Sequence, residues 1–307
     1  MKKIRQEFAD TMLEVGEIDK DLVVMVGDIS HGILQPFAKK FPGRYYNIGI
    51  CEPTIVNMAA GLSKLNITPV VHTIAPFITE RAYEQIKLDF GYQDLPINIV
   101  SVGGAFDYAQ LGCSHHCYTD VSLICHFKRG TVVIPGSCLE FNLLFKESYK
   151  NGLINYYRIP EYPHGIEIPA EKIKFGKGVL ISEGSDVTIV TTGTQLKNAV
   201  EASEALKKDG ISVEVLYYHT IKPFDGELLR KSLTKTKHLV CVEELSAHDG
   251  LFNMCLRNSY ELDGIKYKQM AIEDFVHGYG TYEELCEKIG LCPSNIKTQV
   301  INLIKNQ

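Results

Sequence analysis

The run Arg5-Gln6-Glu7-Phe8-Ala9-Asp10-Thr11-Met12-Leu13-Glu14-Val15-Gly16-Glu17-Ile18, followed by Asp21-Leu22-Val23-Val24-Met25-Val26-Gly27, decides the fold class. Phe8, Met12 and Val15 recur at helical spacing in the first segment, which predicts a helix over 5–18. The second segment is continuously apolar between a charge and a glycine and predicts a buried strand. A helix feeding such a strand, repeated along a chain, is the signature of α/β architecture with parallel sheets. The repetition is present. Outward from this unit come a strand over 45–48, a helix over 53–65 in which Gly61 permits close packing, a strand over 69–72, a helix over 80–90 and a strand over 96–102 ending in Gly103-Gly104. Strands over 131–134 and 153–157 complete a first domain, placed at 1–165.

Pro160, Pro163 and Pro169, with clustered glycines and lysines after them, mark a change of character that places a linker at 166–184. The alternation then restarts with a strand over 186–193, a helix to Lys208, a strand over 213–216, a helix near Leu228 and a strand over 238–242. The expectation is therefore two α/β domains with mainly parallel sheets, the second at 185–307.

Composition narrows the function. The 307 residues are 45% hydrophobic and 22% charged, the balance of a folded globular protein. A formal charge of -5 without a basic run argues against nucleic acid as a partner. No apolar stretch approaches the roughly 18 residues of a membrane span, and residues 1–7 lack the apolar core of a signal peptide, so a cytoplasmic location is expected. Nine cysteines without a C-x-x-C pair fit reduced thiols.

The chemistry is concentrated in three places: Gly49-Ile50-Cys51-Glu52 at the mouth of a helix, His72-Thr73-Ile74-Ala75-Pro76-Phe77, and Gly112-Cys113-Ser114-His115. A carboxylate, an aromatic and a late histidine in that order suit thiamine diphosphate, whose aminopyrimidine ring needs a carboxyl partner while the cofactor itself carries the hard chemistry. Nowhere does the chain read Gly-Asp-Gly with a downstream Asn, the run that holds Mg²⁺ and the diphosphate in thiamine enzymes. It reads as half of an active site. A rival reading takes Cys113, His115, His116 and Cys117 as metal ligands, but their spacing meets the usual pattern only in part, and no metal is expected there.

With these motifs in view, the whole chain resembles the C-terminal section of transketolase, a subunit carrying the pyrimidine-binding and C-terminal domains of a split-gene enzyme. Gly49 to Glu52 ahead of Ala59-Ala60-Gly61-Leu62, then Arg81-Ala82-Tyr83-Glu84-Gln85, Thr220-Ile221-Lys222-Pro223-Phe224-Asp225 and Val242-Glu243-Glu244-Leu245-Ser246 carry the resemblance. It implies ketol transfer between sugars, with Glu52 and His115 catalytic and Glu52, Phe77, Ile29, Asp28 and Arg81 on the cofactor. Arg158, His116, His31 and Arg5 are implied as substrate contacts. A partner N-terminal-section subunit would bring the diphosphate and Mg²⁺ site, with two copies of each chain in a heterotetramer.

Two departures bear on substrate: Gln110-Leu111 stands where the family usually has Glu-Asp, and Gly103-Gly104 where it has His-Asp. They point to a ketose outside the common pentose phosphates. The same domain order occurs in the β subunit of 2-oxo-acid dehydrogenases and in deoxyxylulose-phosphate synthases, and a non-catalytic assembly subunit would keep the fold alone.

Overall fold

The computed structural model describes residues 2–305. Six strands, β1 (Leu22–Val26), β2 (Tyr45–Asn47), β3 (Thr68–Ile74), β4 (Ile97–Val102), β5 (Gly130–Val133) and β6 (Ile154–Ile159), run parallel in one sheet. A second sheet holds β7 (Val179–Ser182), β8 (Val187–Thr191), β9 (Val213–Tyr217), β11 (His238–Ser246) and β12 (Lys266–Ile272). Between β9 and β11 the chain makes β10 (Thr220–Lys222), which crosses to the first sheet and pairs antiparallel with β5. The orders are β10-β5-β6-β4-β3-β1-β2 and β12-β11-β8-β9-β7, with β7 antiparallel at its edge. Both sheets are mainly parallel, as the alternation of patterns predicts.

Strand burial explains this choice. Every residue of β1, β4, β5, β6, β8 and β9 is buried, which requires cover on both faces of the sheets. Along β1 the side chains alternate: Val24 and Val26 join Phe8, Met12 and Val15 in one apolar cluster, while Val23 and Met25 join Ile55, Val56 and Ala59 in the other. Each cluster continues into the second sheet, through Tyr217 and Val242 in one and Leu216 and Cys241 in the other. The stretch read as a linker carries a short turn at Ala170–Lys172 and the edge strand β7.

Two local readings need correction. A helix over 80–90 is not formed as one rod: the chain makes Ala75–Thr79, then Tyr83–Gln85, then a π-helical turn at Ile86–Gly91. Residues 31–40, which show no element in the sequence, form a helix, His31–Lys40, with Pro36 inside it. Pro36 has no N–H to give to the turn before it, and burial of Leu34 and Phe37 on either side holds the helix in its place.

Candidate functional site

Because β1 to β4 run parallel, their carboxyl ends share one edge of the sheet, the place where open α/β sheets bind ligands. Residues 28–31 follow β1, 48–52 follow β2, 75–81 follow β3 and 103–119 follow β4. These segments carry every expected site residue except Arg5 and Arg158.

Glu52 opens the helix Glu52–Lys64, and Gly49, at φ +84°, turns the chain into it. No atom lies within 4 Å of where a Gly49 Cβ would sit, so the dihedral rather than crowding asks for glycine. Glu52 is 1% exposed, and its Oε2 accepts a hydrogen bond from Arg81 Nη1 at 2.9 Å. Its Oε1 has no hydrogen-bond partner among the described residues. The Arg81 guanidinium lies 4.2 Å from the centre of the Phe77 ring, a cation–π contact. Phe77 meets His115 edge-on, with ring centroids 5.1 Å apart and planes at 74°. On the other side His115 meets Tyr108 at 6.2 Å and 84°, and the Tyr108 hydroxyl accepts a hydrogen bond from Arg5 Nη2 at 2.7 Å. Glu52, Arg81, Phe77, His115, Tyr108 and Arg5 thus form one contiguous row from four separate segments.

The β1 end is tied to the neighbouring strands through His72 on β3. His72 Nδ1 lies 2.8 Å from the Val100 carbonyl, which can only accept, so Nδ1 carries the proton and Nε2 accepts from the Ser30 hydroxyl at 2.8 Å. Burial, helped by the charge of Arg5, pushes the His72 pKa down to about 3 and keeps the ring neutral. Asn47 holds the neighbouring turns, donating to Asp28 Oδ1 at 2.9 Å and accepting from the Asp28 and Gly49 amides at 3.1 Å each. Ile29 packs half-buried on the apolar cluster that contains Phe8. His31 is exposed and bonds the Tyr45 hydroxyl at 3.0 Å.

Arg158 and His116 stand apart from the row. Arg158 is 2% exposed, with Nη1 3.5 Å from Asp120 Oδ1 and Nη2 3.4 Å from the Glu244 carbonyl and 3.8 Å from Glu244 Oε1. Burial opposes its charge, but Asp120, Glu244, Tyr156 and Asp107 outweigh burial and hold its pKa above the ordinary value. Its guanidinium is the countercharge of a buried acidic group that spans the two sheets. Within that group burial and the Glu244 charge push the Asp107 pKa well up, against the pull of Arg158. His116 is buried with its ring edge-on to Phe106 at 5.3 Å, and neither ring nitrogen has a hydrogen-bond partner among the described residues. The adjacent Cys117 turns instead toward Thr79 and Glu80, and among the described residues no three His, Cys, Asp or Glu side chains come together as a metal site.

Tyr108 is the member of the row that the sequence did not reveal. Its partner Arg5 lies 103 positions away. The one local hint is glycine: a Cβ on Gly103, at φ +75°, would come within 2.3 Å of the Tyr108 ring, and one on Gly104 within 1.8 Å of Arg158 Nε. The Gly103-Gly104 departure is a packing requirement of these two side chains.

Two family models match the chain, the transketolase pyrimidine-binding domain over residues 1–152 and the transketolase C-terminal domain over residues 176–296. The chain belongs to the transketolase family. It is a transketolase-type subunit with the layout of the C-terminal section. A solved split-gene transketolase, described as an inactive β4 tetramer, matches with a TM-score of 0.90 and 28% identity over 99% of each chain. A 6-deoxy-6-sulfo-D-fructose transketolase subunit from a Clostridium species is 29% identical, covering 95% of this chain and 92% of its own. One of the apulose-4-phosphate transketolase subunits, from Phocaeicola vulgatus, is also 29% identical, over 98% and 97%. A 1-deoxy-D-xylulose-5-phosphate synthase from Halothermothrix orenii is 30% identical over 88% of this chain, which spans 43% of that longer protein.

Proposed function

We propose that this transketolase section supplies the pyrimidine side of a thiamine diphosphate site and, with a partner N-terminal section, moves a two-carbon ketol unit from a ketose to an aldose. The observation that carries the reading is the row at the sheet edge: a buried carboxylate with one oxygen free, next to an aromatic ring, next to an imidazole. When bound, thiamine diphosphate supplies the carbon through which the ketol unit passes. Glu52 would hydrogen-bond the aminopyrimidine through Oε1, while Arg81 fixes the carboxylate through Oε2. Phe77 would give the pyrimidine an apolar contact, with Asp28 and Ile29 at the β1 end flanking the rest of the cofactor. His115, edge-on to Phe77, is placed to exchange protons with hydroxyl groups of the sugar.

The residues fit the pyrimidine end of the cofactor. The diphosphate and Mg²⁺ are assigned to the partner, in a complex with two copies of each chain. The inactive state named for the related β4 tetramer supports this division. Nine free thiols and the absence among the described residues of any helix long and apolar enough to cross a membrane support a reducing, cytoplasmic setting.

Glu52→Gln tests the reading. In the assembled complex we expect ketol transfer to fall by roughly 10²-fold or more, since a proton-handling carboxyl is lost. Unaltered turnover would remove Glu52, and the cofactor assignment with it. Likeness to the deoxyxylulose-phosphate synthase favours one second reading, chemistry on a pyruvate-like substrate. Release of CO₂ from a 2-oxo acid without ketol transfer would select it.

A further inference from the structure

We propose that Tyr108, held by Arg5 beside His115, is the residue that sets ketose specificity, hydrogen-bonding an anionic group at the end of the ketose away from the reacting carbons. The inference rests on the ketol-transfer reading and adds to it a recognition element that neither the motifs nor the relatives' names contain.

Two unsatisfied donors point to this role. Arg5 Nη2 donates to the Tyr108 oxygen at 2.7 Å, so the phenolic hydrogen remains to be given to something else. Arg5 Nε is buried without a hydrogen-bond partner among the described residues, and the remaining contact of the guanidinium is a long one, 3.5 Å to Glu161. The phenolic O–H is therefore left without an acceptor beside the imidazole assigned to the sugar, and the unpartnered Arg5 Nε lies closed off behind it. A buried donor without an acceptor is costly, and a charged acceptor relieves it best. Phosphate, sulfonate and carboxylate all qualify. Burial raises the Tyr108 pKa against the pull of Arg5, so the hydroxyl keeps its proton at neutral pH.

Position supports the role. The Tyr108 ring fills the space that a side chain at 103 would need and lies edge-on to His115, so its hydroxyl reads the substrate from a fixed distance. The loop carrying it is bridged onto itself by Ala105 and Cys117, whose backbones exchange hydrogen bonds of 2.5 and 3.1 Å. That closes one loop around both Tyr108 and His115. Gly103 is then glycine because Tyr108 reaches the same space from five positions further along.

Tyr108→Phe keeps the ring on Gly103 and removes the hydroxyl alone. In the assembled complex it is assayed with three ketoses of equal length, ending in phosphate, sulfonate or an uncharged hydroxymethyl group. We expect KM for at least one charged ketose to rise by about tenfold or more, the factor of one lost hydrogen bond to a charged group, with kcat within about twofold and KM for the uncharged ketose unchanged. Which charged ketose is affected names the anion. Inhibition by inorganic phosphate or sulfate should weaken in parallel, and Arg5→Gln should reproduce the pattern more strongly. Equal KM values in wild type and Tyr108→Phe for all three ketoses, or a fall in kcat common to them, would overturn the proposal. Glu52→Gln run alongside separates this failure from that of the parent reading, because turnover that survives in Glu52→Gln defeats ketol transfer through Glu52 whatever Tyr108 does.

Discussion

At the scale of single residues, what the sequence conveyed was chemical type, and what it withheld was company. Glu52, Phe77 and His115 were legible because they sit in short motifs, and the structure brings all three together. Arg158 was legible as a cation at a strand end, but nothing local announces that Asp120 and Glu244 arrive from 38 and 86 positions away. Removing it should expose that company: Arg158→Met leaves buried acids without their countercharge, and we expect a loss of about 3–5 kcal/mol, read as a lower urea midpoint at unchanged slope. A variant as stable as the parent would show that the acids do not depend on Arg158. Two buried groups give pH dependence of opposite sign. His72, pushed down to about 3, stays neutral while the unfolded chain protonates near 6.5, so its contribution to stability is lost as pH falls from 6.5 toward 3. Glu243, pushed up to about 7 by burial against the opposing pull of the hydrogen bonds it accepts from Gln269 and the Phe252 and Leu251 amides, holds its proton more tightly when folded, so stability falls as pH rises from 4.5 to 7. Unfolding free energies measured across pH 4 to 7.5 should lose the second slope in Glu243→Gln; an unchanged slope would mean that Glu243 does not titrate in that range.

At the scale of elements, strands such as β1, β4 and β8 are fully buried, and they betray themselves as a continuous apolar run in β1 and as runs dominated by Ile and Val in β4 and β8. The elements without that signature were missed. β10 is three residues long and is made a strand only by its partner β5. β7 is a partly buried edge strand in a stretch punctuated by prolines and glycines. The helix His31–Lys40 contains both Gly32 and Pro36, which argue locally against a helix and are overruled by the packing of Leu34 and Phe37. Glycines at loop ends carry a sharper consequence. A Cβ on Gly112, at φ +72°, would meet the Tyr279 ring at 2.7 Å, so the turn that delivers His115 lies against an exposed residue of the second domain. We expect Gly112→Ala to displace this turn, lowering kcat of the assembled complex several-fold while costing about 1–3 kcal/mol of stability. Full activity in a stable variant would show that Tyr279 does not position the loop.

At the scale of the whole molecule, two features follow from one another. The two sheets share apolar clusters, exchange β10 and enclose a common acidic group around Arg158, so the two domains are built as one body. The row from Glu52 to Arg5, by contrast, is not accompanied by a Gly-Asp-Gly run with a downstream Asn, which holds Mg²⁺ and the diphosphate in thiamine enzymes. The pattern of the sequence made this asymmetry visible before the structure, since the missing Gly-Asp-Gly run is as readable as the Glu52 motif that is present. It could not reveal the shape of the edge, which depends on loops after four strands converging. Everything proposed for the site turns on its completion by another chain. Ketol transfer from a ketose to an aldose, with Mg²⁺ and thiamine diphosphate, is therefore to be measured for the purified chain alone and after mixing with an N-terminal-section subunit. We expect no turnover alone and Mg²⁺-dependent turnover on mixing; ketol transfer by the chain alone, at a rate that the partner does not raise, would contradict completion of the site by a second chain.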